Sequence, residues 1–336
     1  MFKNKNILVT GGTGYFGKNF VKHLITSHSP KRVVIFSRDE QKQYNFQNEL
    51  KNKKKFKSLR FFIGDVRDIQ RLNLAMKNID IVIHAAALKH VPAAEYNPME
   101  CVKTNILGAQ NVIETCLQNK VQKVIALSTD KAANPINIYG ASKLVSDKLF
   151  TAANNLVGKN KIIFSVVRYG NVFDSTGSVV PYFKSLMKSK KSYIPITHPK
   201  MTRFVISIEE GIKFVIEALK VMRGGEIFVP KLPSIRIMDL AKAFSTSKNI
   251  KIIGIRSGEK LHEVLCPRDD AHLTFEFKNY YIIFPSIKFF KENKKDQKNL
   301  IGSGKKVKND FQYDSANNIN YLNIPQIKKM IKNIKD

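Results

Sequence analysis

The nine residues VTGGTGYFG, from Val9 to Gly17, restrict what this chain can fold into more than any other stretch. They follow the β-branched run NILVT (6–10) and open a helical pattern, with Gly11, Gly14 and Gly17 in GxxGxxG spacing. Glycines there let the backbone approach a pyrophosphate, and the free N–H groups of the helix N-terminus supply positive dipole character to bind it. The motif carries weight because it sits between a strand and a helix at the start of an alternating pattern.

That alternation continues for about the first 170 residues, which predicts a parallel sheet covered by helices, an α/β doubly wound fold of Rossmann type. The expected strands are 6–10, RVVIFS (32–37), LRFFIGD (59–65), IDIVIHAA (79–86), KVIALST (123–129) and IFSVVRYG (163–170). After Asn171 the regularity breaks, and a smaller lobe built from discontinuous pieces is expected.

Composition excludes several classes. The 336 residues carry 43% hydrophobic content, enough to bury a full core. No run of 18 apolar residues predicts a membrane span. The start MFKNKNILVTGG enters a strand directly without signal-peptide character, so a cytoplasmic protein is expected. Cys101, Cys116 and Cys266 show no metal-ligand spacing and read as reduced packing residues, and no metal is expected. The net charge of +30 is scattered, without an aromatic-basic motif, so nucleic acid is not an expected partner. The excess should attract phosphorylated small molecules.

The dinucleotide site can be extended from its glycines. Thr13, Tyr15 and Phe16 belong to the same turn. FSRDE follows the second strand about 20 residues after the last glycine, where NAD-binding folds present a carboxylate to the ribose. Ser37 and Arg38 stand there first and suit a 2′-phosphate, so NADP is expected as cofactor. Asp39 would serve NAD if the turn is offset by one residue. Asp65 and Val66 in GDVRD are expected beside the adenine, and Ala85, Ala86 and Ala87 in HAAALKH along the pyrophosphate and nicotinamide side.

Tyr139 and Lys143 share one helical face, with Thr129 at the end of the preceding strand. A lysine ammonium lowers a neighbouring phenol pKa, so the tyrosine can take a hydroxyl proton while hydride leaves for a nicotinamide. Asp130 and Lys131 are two residues more than such a dehydrogenase needs. At the carboxyl end of a central strand they should face the ligand crevice.

With GGTGYFGK, FSRDE, FFIGDVRD, HAAALKHVPAAEYNP, TNILGAQNVI, LSTDKAANPINIYGASKL, VVRYGNV, MTRF, GGEIFVPK and GEKLHEV in order, the chain resembles the extended short-chain dehydrogenase/reductases. Within them it is similar to the configuration-inverting UDP-N-acetylglucosamine 4,6-dehydratases of pseudaminic acid synthesis. The resemblance implies a redox-neutral dehydration: hydride leaves sugar C4 for NADP, C5 loses a proton, the C6 hydroxyl leaves as water, and hydride returns to C6. It assigns Tyr139 as the C4 base, Lys131 as the C5 base and Asp130 as the acid at C6. Burial and the nearby Lys143 charge are expected to help Lys131 lose its proton.

The same resemblance implies UDP-N-acetylglucosamine as substrate, with contacts from Lys89, Asn171, Thr197, Arg203, Arg256 and Glu259, and a homo-oligomer, a hexamer or a dimer. Arg203, Arg256 and Glu259 would meet the diphosphate and uridine ribose, while Val172, Tyr139 and Lys143 would also touch the cofactor. It divides the chain into a nucleotide-binding domain (1–175 and 204–228), a sugar-binding lobe (176–203 and 229–285) and a lysine-rich C-terminal arm (286–336) with an exposed stretch at 288–310. Two departures stand out: Ser175-Thr176-Gly177 where the family has Ser-Arg-Gly, and Arg256-Ser257-Gly258 where it has Arg-Pro-Gly. A UDP-sugar 4-epimerase needs Thr129, Tyr139 and Lys143 but has no use for Asp130 and Lys131. A noncatalytic NADP-binding regulator would need none of the five.

Overall fold

The computed structural model describes residues 1–53, 55–158, 161–188, 193–244, 249–287, 302 and 304–334. Six strands lie where apolar, β-branched runs permit burial on both faces: β1 (Asn6–Thr10), β2 (Arg32–Ser37), β3 (Leu59–Ile63), β4 (Ile81–His84), β5 (Lys123–Thr129) and β6 (Ile163–Tyr169). Near-continuous hydrophobic runs are what a parallel sheet with helices on both faces demands. Three match the expected bounds and the others end a residue or more early. After the third stops at Ile63, Gly64 lies directly against the Phe36 ring.

Their order is β3-β2-β1-β4-β5-β6, all parallel, so the strand sequence reverses between β1 and β4. Ligands of open α/β sheets bind in the crevice outside such a reversal. The covering helices are α1 (Tyr15–Ser27), α2 (Glu40–Leu50), α3 (Ile69–Met76), α4 (Val91–Tyr96), α5 (Pro98–Val102), α6 (Gly108–Gln118) and α7 (Ile138–Ala152). Between α5 and α6 the helix widens into a π turn at Lys103–Leu107.

Beyond Asn171 the chain leaves the sheet and returns to it. β7 (Asn171–Val172), β9 (Thr202–Ile206) and β11 (Ser234–Arg236) form a small sheet, and β8 (Tyr193–Ile196) pairs with β12 (Asn249–Ile252). With α8 (Val179–Lys188) and α10 (Ile237–Phe244) they enclose a second apolar core around Phe183, Ile194, Val205 and Leu240. α9 (Ile208–Val221), fixed by a capping box between Ser207 and Glu210, returns the chain to β10 (Ile227–Pro230), which adds a seventh parallel strand beside β6.

The expected division needs correction at its C-terminal side. β14 (Thr274–Glu276) and β15 (Tyr280–Ile283) are antiparallel strands of the main sheet, outside the smaller lobe, because Tyr281, Ile282 and Ile283 complete its core. Of the expected arm, residues 288–301, 303, 335 and 336 lie outside the described residues. The described remainder is anchored by two strand pairings: the exposed β16 (Lys305–Lys306) pairs with β14, and the buried β17 (Tyr313–Asp314) pairs with β13 (Val264–Cys266). The final helix, Ile324–Lys332, sends Ile327 into the second core. Its few apolar side chains, spaced between the lysines, share the face that is buried. No helix among the described residues is long and apolar enough to cross a membrane.

Candidate active site

At the reversal of strand order the glycines do what the spacing requires. Gly11 has φ +63°, and a Cβ there would lie 2.8 Å from Ala86 N and 2.9 Å from the Ala85 carbonyl. The two loops therefore meet backbone to backbone, which only glycine allows. A Cβ on Gly17 would run into the Gly11 carbonyl, so the same turn packs directly on α1. Gly14 caps α1 without a side-chain acceptor, leaving the first N–H groups of that helix for a ligand. These features fit a dinucleotide pyrophosphate. Thr13 is buried within the turn, and Tyr15 and Phe16 begin the helix.

At the far end of this groove Arg38 is exposed, 3.5 Å from Asp65. Asp65 is held by Arg67, which donates from its backbone at 3.0 Å and its Nε at 2.9 Å. Ser37 is buried and accepts from Gln43 Nε2 at 3.1 Å. Asp39 is the N-cap of α2, accepting from Lys42 N at 2.8 Å and pairing with Lys42 Nζ at 3.0 Å. The Lys42 backbone N–H holds its carboxyl below the usual aspartate range. Asp39 thus serves as the cap of α2, while Arg38 beside it is exposed. Val66 is buried against Gly108.

Ala85, Ala86 and Ala87 follow β4. Their loop is held by a residue that sequence reasoning missed: Asn105, in the π turn, accepts from Leu88 N at 2.8 Å and donates to Leu88 O at 2.9 Å. It also reaches Ser142 Oγ at 3.0 Å on α7, the helix that carries Tyr139 and Lys143. One amide thereby ties the cofactor-side loop to the helix of the expected catalytic pair.

α7 starts with Asn137 as N-cap, accepting from Gly140 N at 2.8 Å. A Cβ on Gly140 would collide with the Lys131 carbonyl, so this glycine lets the helix sit against the Asp130–Lys131 turn. Lys143 is buried, and burial pulls its ammonium below the usual lysine range against the raising effect of Asp147. Burial pushes the Tyr139 phenol up to about 12, and the strongest opposing influences are the Lys131 charge and the Thr129 hydroxyl. Lys131, rather than the expected Lys143, is thus the cation that most eases Tyr139 toward a phenolate.

Asp130 is fully buried. Its Oδ1 accepts from Thr129 Oγ1 at 3.0 Å and from Lys131 Nζ at 3.0 Å, while Oδ2 has no hydrogen-bond partner. Burial, reinforced by Glu263, raises its pKa despite the opposing Lys131 charge. A carboxyl so placed favours keeping a proton, as a general acid must.

Lys131 differs from expectation. Burial alone would lower its pKa, but Asp130 and Glu263 hold it above the ordinary lysine value. Its Nζ lies 3.1 Å from Glu263 Oε1 and 3.5 Å from Asn171 Oδ1. A lysine already eased toward neutrality by burial and Lys143 is not what the fold builds, because Asp130 and Glu263 stand beside it. That glutamate lies in GEKLHEV, far along the chain, and no local spacing announces it.

A cavity of about 790 Å³ opens from Lys131 and Asn171 across the smaller lobe, with Val172, Thr197, Arg203, Arg256 and Glu259 on its wall. Apolar side chains of α8 and β8, among them Val180, Phe183 and Ile196, also line it. Thr197 is buried and donates to Met201 Sδ at 3.2 Å. Arg203 lines the cavity, but its guanidinium donates to the carbonyls of Thr202 (2.7 Å), Lys260 (2.9 Å) and Leu261 (3.2 Å). It clamps the 256–263 loop from its place on the cavity wall. Arg256 is exposed on the rim, where Glu259 Oε2 accepts from its backbone at 3.3 Å. Lys260, not singled out in the sequence, donates to the Ala133 carbonyl and so joins that loop to the Asp130–Lys131 turn. Lys89 donates to the Thr176 carbonyl at 2.8 Å, so the departure at position 176 leaves this backbone contact available.

The fold has close solved counterparts. A Bacillus thuringiensis protein described as Pen superposes with a TM-score of 0.88 at 36% identity, covering 99% of this chain and 98% of that one. The Streptomyces venezuelae dTDP-glucose 4,6-dehydratase DesIV matches with a TM-score of 0.67 at 21% identity over 76% of this chain and 86% of that one, a likeness of fold. Among known sequences, a Campylobacter jejuni UDP-N-acetylglucosamine 4,6-dehydratase (inverting) is 56% identical, covering 95% of this chain and 94% of its own. A Rickettsia bellii protein named UDP-glucose 4-epimerase is 41% identical, covering 99% of this chain and 97% of its own. The polysaccharide biosynthesis protein family model matches residues 7–285. With its parallel sheet, glycine turn and Tyr139/Lys143 helix, the chain belongs to that family, among the extended short-chain dehydrogenase/reductases.

Proposed function

We infer that the chain is a UDP-N-acetylglucosamine 4,6-dehydratase that inverts C5 and acts with NADP. Its product would be UDP-2-acetamido-2,6-dideoxy-β-L-arabino-hex-4-ulose, the first intermediate toward pseudaminic acid. The observation that carries this reading is the buried Asp130–Lys131 contact at 3.0 Å, set against α7 beside Tyr139. The 56% identical relative of that name supports it.

The glycine turn, the α1 N-terminus and Arg38 would hold the dinucleotide, which when bound supplies the acceptor and donor of hydride. The chain's own residues handle protons. Tyr139, oriented by Thr129, takes the C4 hydroxyl proton. The resulting ketone acidifies C5–H, which Lys131 removes once it is neutral. Asp130, kept protonated by burial, gives its proton to the departing C6 oxygen. Oxidation and reduction cancel, so the net reaction releases water alone. The lobe cavity, with Arg256 at its rim, would take the nucleotide, and a soluble homo-oligomer in the cytoplasm is the setting we infer.

A second reading, 4-epimerisation, is favoured by the 41% identical Rickettsia relative. Proton NMR of the reaction with UDP-N-acetylglucosamine in deuterated water separates the two. A C6 methyl signal with deuterium at C5 in the L-arabino configuration is expected. UDP-N-acetylgalactosamine as the only product would overturn the dehydratase reading.

A further inference from the structure

We propose that Glu263 is a positioning residue for Lys131: its ion pair anchors the lysine in the site and sets the pH at which that lysine can act as a base. This rests on the reading of Lys131 as the C5 base.

An ammonium has three N–H groups to place. Lys131 Nζ has three acceptors around it, Asp130 Oδ1 at 3.0 Å, Glu263 Oε1 at 3.1 Å and Asn171 Oδ1 at 3.5 Å. So surrounded, the lysine is stabilised as a cation, and a cation has no lone pair to offer C5–H. Of the three, Asn171 is neutral and Asp130 is needed as the acid. Glu263 is the remaining charge, and it comes from a separate part of the chain.

Glu263 is itself built into place. It is 1% exposed, and its backbone N–H donates to Ser315 Oγ at 2.9 Å. Its Oε1 lies 3.7 Å from Arg203 Nε, and its Oε2, 3.9 Å from Lys260 Nζ, has no hydrogen-bond partner. A buried carboxylate with one idle oxygen on a ligand cavity is costly, and charge compensation is what keeps it. The charged and titratable groups facing Lys131 are Asp130 and Tyr139 from its own lobe, Lys89 from the loop after β4, and Glu263, Arg203 and Lys260 from the other side. Arg203 and Lys260 oppose Glu263 and are themselves fixed to backbone carbonyls. Glu263 is therefore the group whose removal most simply changes the lysine's preference. Burial would then be opposed by Asp130 alone, and Lys131 would come down.

The protein carrying nitrogen-15 lysine allows a direct test. The Lys131 Nζ signal, assigned by its loss in Lys131→Arg, is titrated in the parent, Glu263→Gln and Glu263→Asp. The glutamine variant should lose its proton about one to two pH units lower, the range a single close charge produces. The aspartate variant, which keeps the charge, should stay near the parent and shows that packing alone is not responsible. A glutamine variant that titrates with the parent overturns the proposal, whatever the enzyme's activity. In the reaction, deuterium exchange at C5 should begin at correspondingly lower pH in Glu263→Gln. At a fixed pH below the rise it should run up to about tenfold faster for each pH unit by which the lysine titrates lower. If the Lys131 titration moves while the exchange profile stays, Lys131 is not the base and the proposal's claim on the reaction falls with that assignment. If the parent makes no 4-keto-6-deoxy sugar, the proposed function fails and the titration still decides the ion pair's effect.

Discussion

Asn105 brackets Leu88 with both ends of its amide, donating to the carbonyl at 2.9 Å and accepting from the N–H at 2.8 Å. Asn105→Ala removes both bonds and leaves two backbone groups of a half-buried loop without partners. A loss of about 2–3 kcal/mol in unfolding free energy is expected, read by urea titration. Because Leu88 follows the alanines at the glycine turn, NADP affinity should fall with it. An unchanged cofactor Kd would mean the loop holds itself.

Arg38 predicts cofactor choice. With Asp39 engaged as the α2 cap, a 2′-phosphate would find the exposed Arg38 guanidinium beside Asp65. Arg38→Ala should weaken NADP by about 10- to 100-fold, the worth of charge-assisted hydrogen bonds, and leave NAD affinity little altered. Calorimetric titration with both dinucleotides checks this.

Arg203 should behave as a clamp. Arg203→Ala strips three carbonyls and leaves Glu263 with less positive charge beside it, so a loss of about 3–5 kcal/mol is expected. Arg203→Lys should rescue little, since a single ammonium cannot reproduce the forked geometry. Thermal melting of the three proteins measures the difference, and full rescue by lysine would mean that the carbonyls need no fork.

His84 predicts an acid limb in stability. Thr10 Oγ1 accepts from the N–H groups of Ala85 at 3.1 Å and Ala86 at 3.3 Å, which directs its own hydrogen to His84 Nδ1 at 2.8 Å. The buried imidazole is thus neutral in the fold, its pKa lowered to about 3 chiefly by burial and secondarily by Lys143. The unfolded chain binds a proton near 6.5 and the folded one does not, so the contribution is full above about 6.5 and is lost as pH falls toward 3. It amounts to about 4–5 kcal/mol. Melting temperature measured across that window should drop, and His84→Asn should flatten the dependence.

Much of the fold was readable because the relevant signals are local. The strand β5 ran from Lys123 to Thr129 as its apolar run indicated, and Gly11, Gly14 and Gly17 announced a close approach that Ala85 and Ala86 complete. The placement of Tyr139 on α7 followed from helical spacing. What could not be read depends on partners far away in sequence. Glu263 and Lys131 are neighbours only because β13 folds back across the site, and no pattern around either residue reports a charge 132 positions distant. The clamping role of Arg203 was equally hidden, because its carbonyl partners are backbone atoms that sequence does not display. The anchoring of the terminal residues was hard to read because lysine and asparagine outnumber the few apolar side chains that hold them.

Those residues have a consequence for the order in which the site is completed. Ser315 Oγ receives the Glu263 N–H and meets Thr202 Oγ1 at 2.7 Å, and Tyr313 closes over Leu232 through hydrogen bonds at 2.7 and 2.9 Å. The wall behind the Lys131 ion pair is thus synthesised long after the glycine turn. A nascent chain can form the nucleotide cradle early, but the charge environment of its lysine is finished only when the polypeptide around Ser315 has left the ribosome.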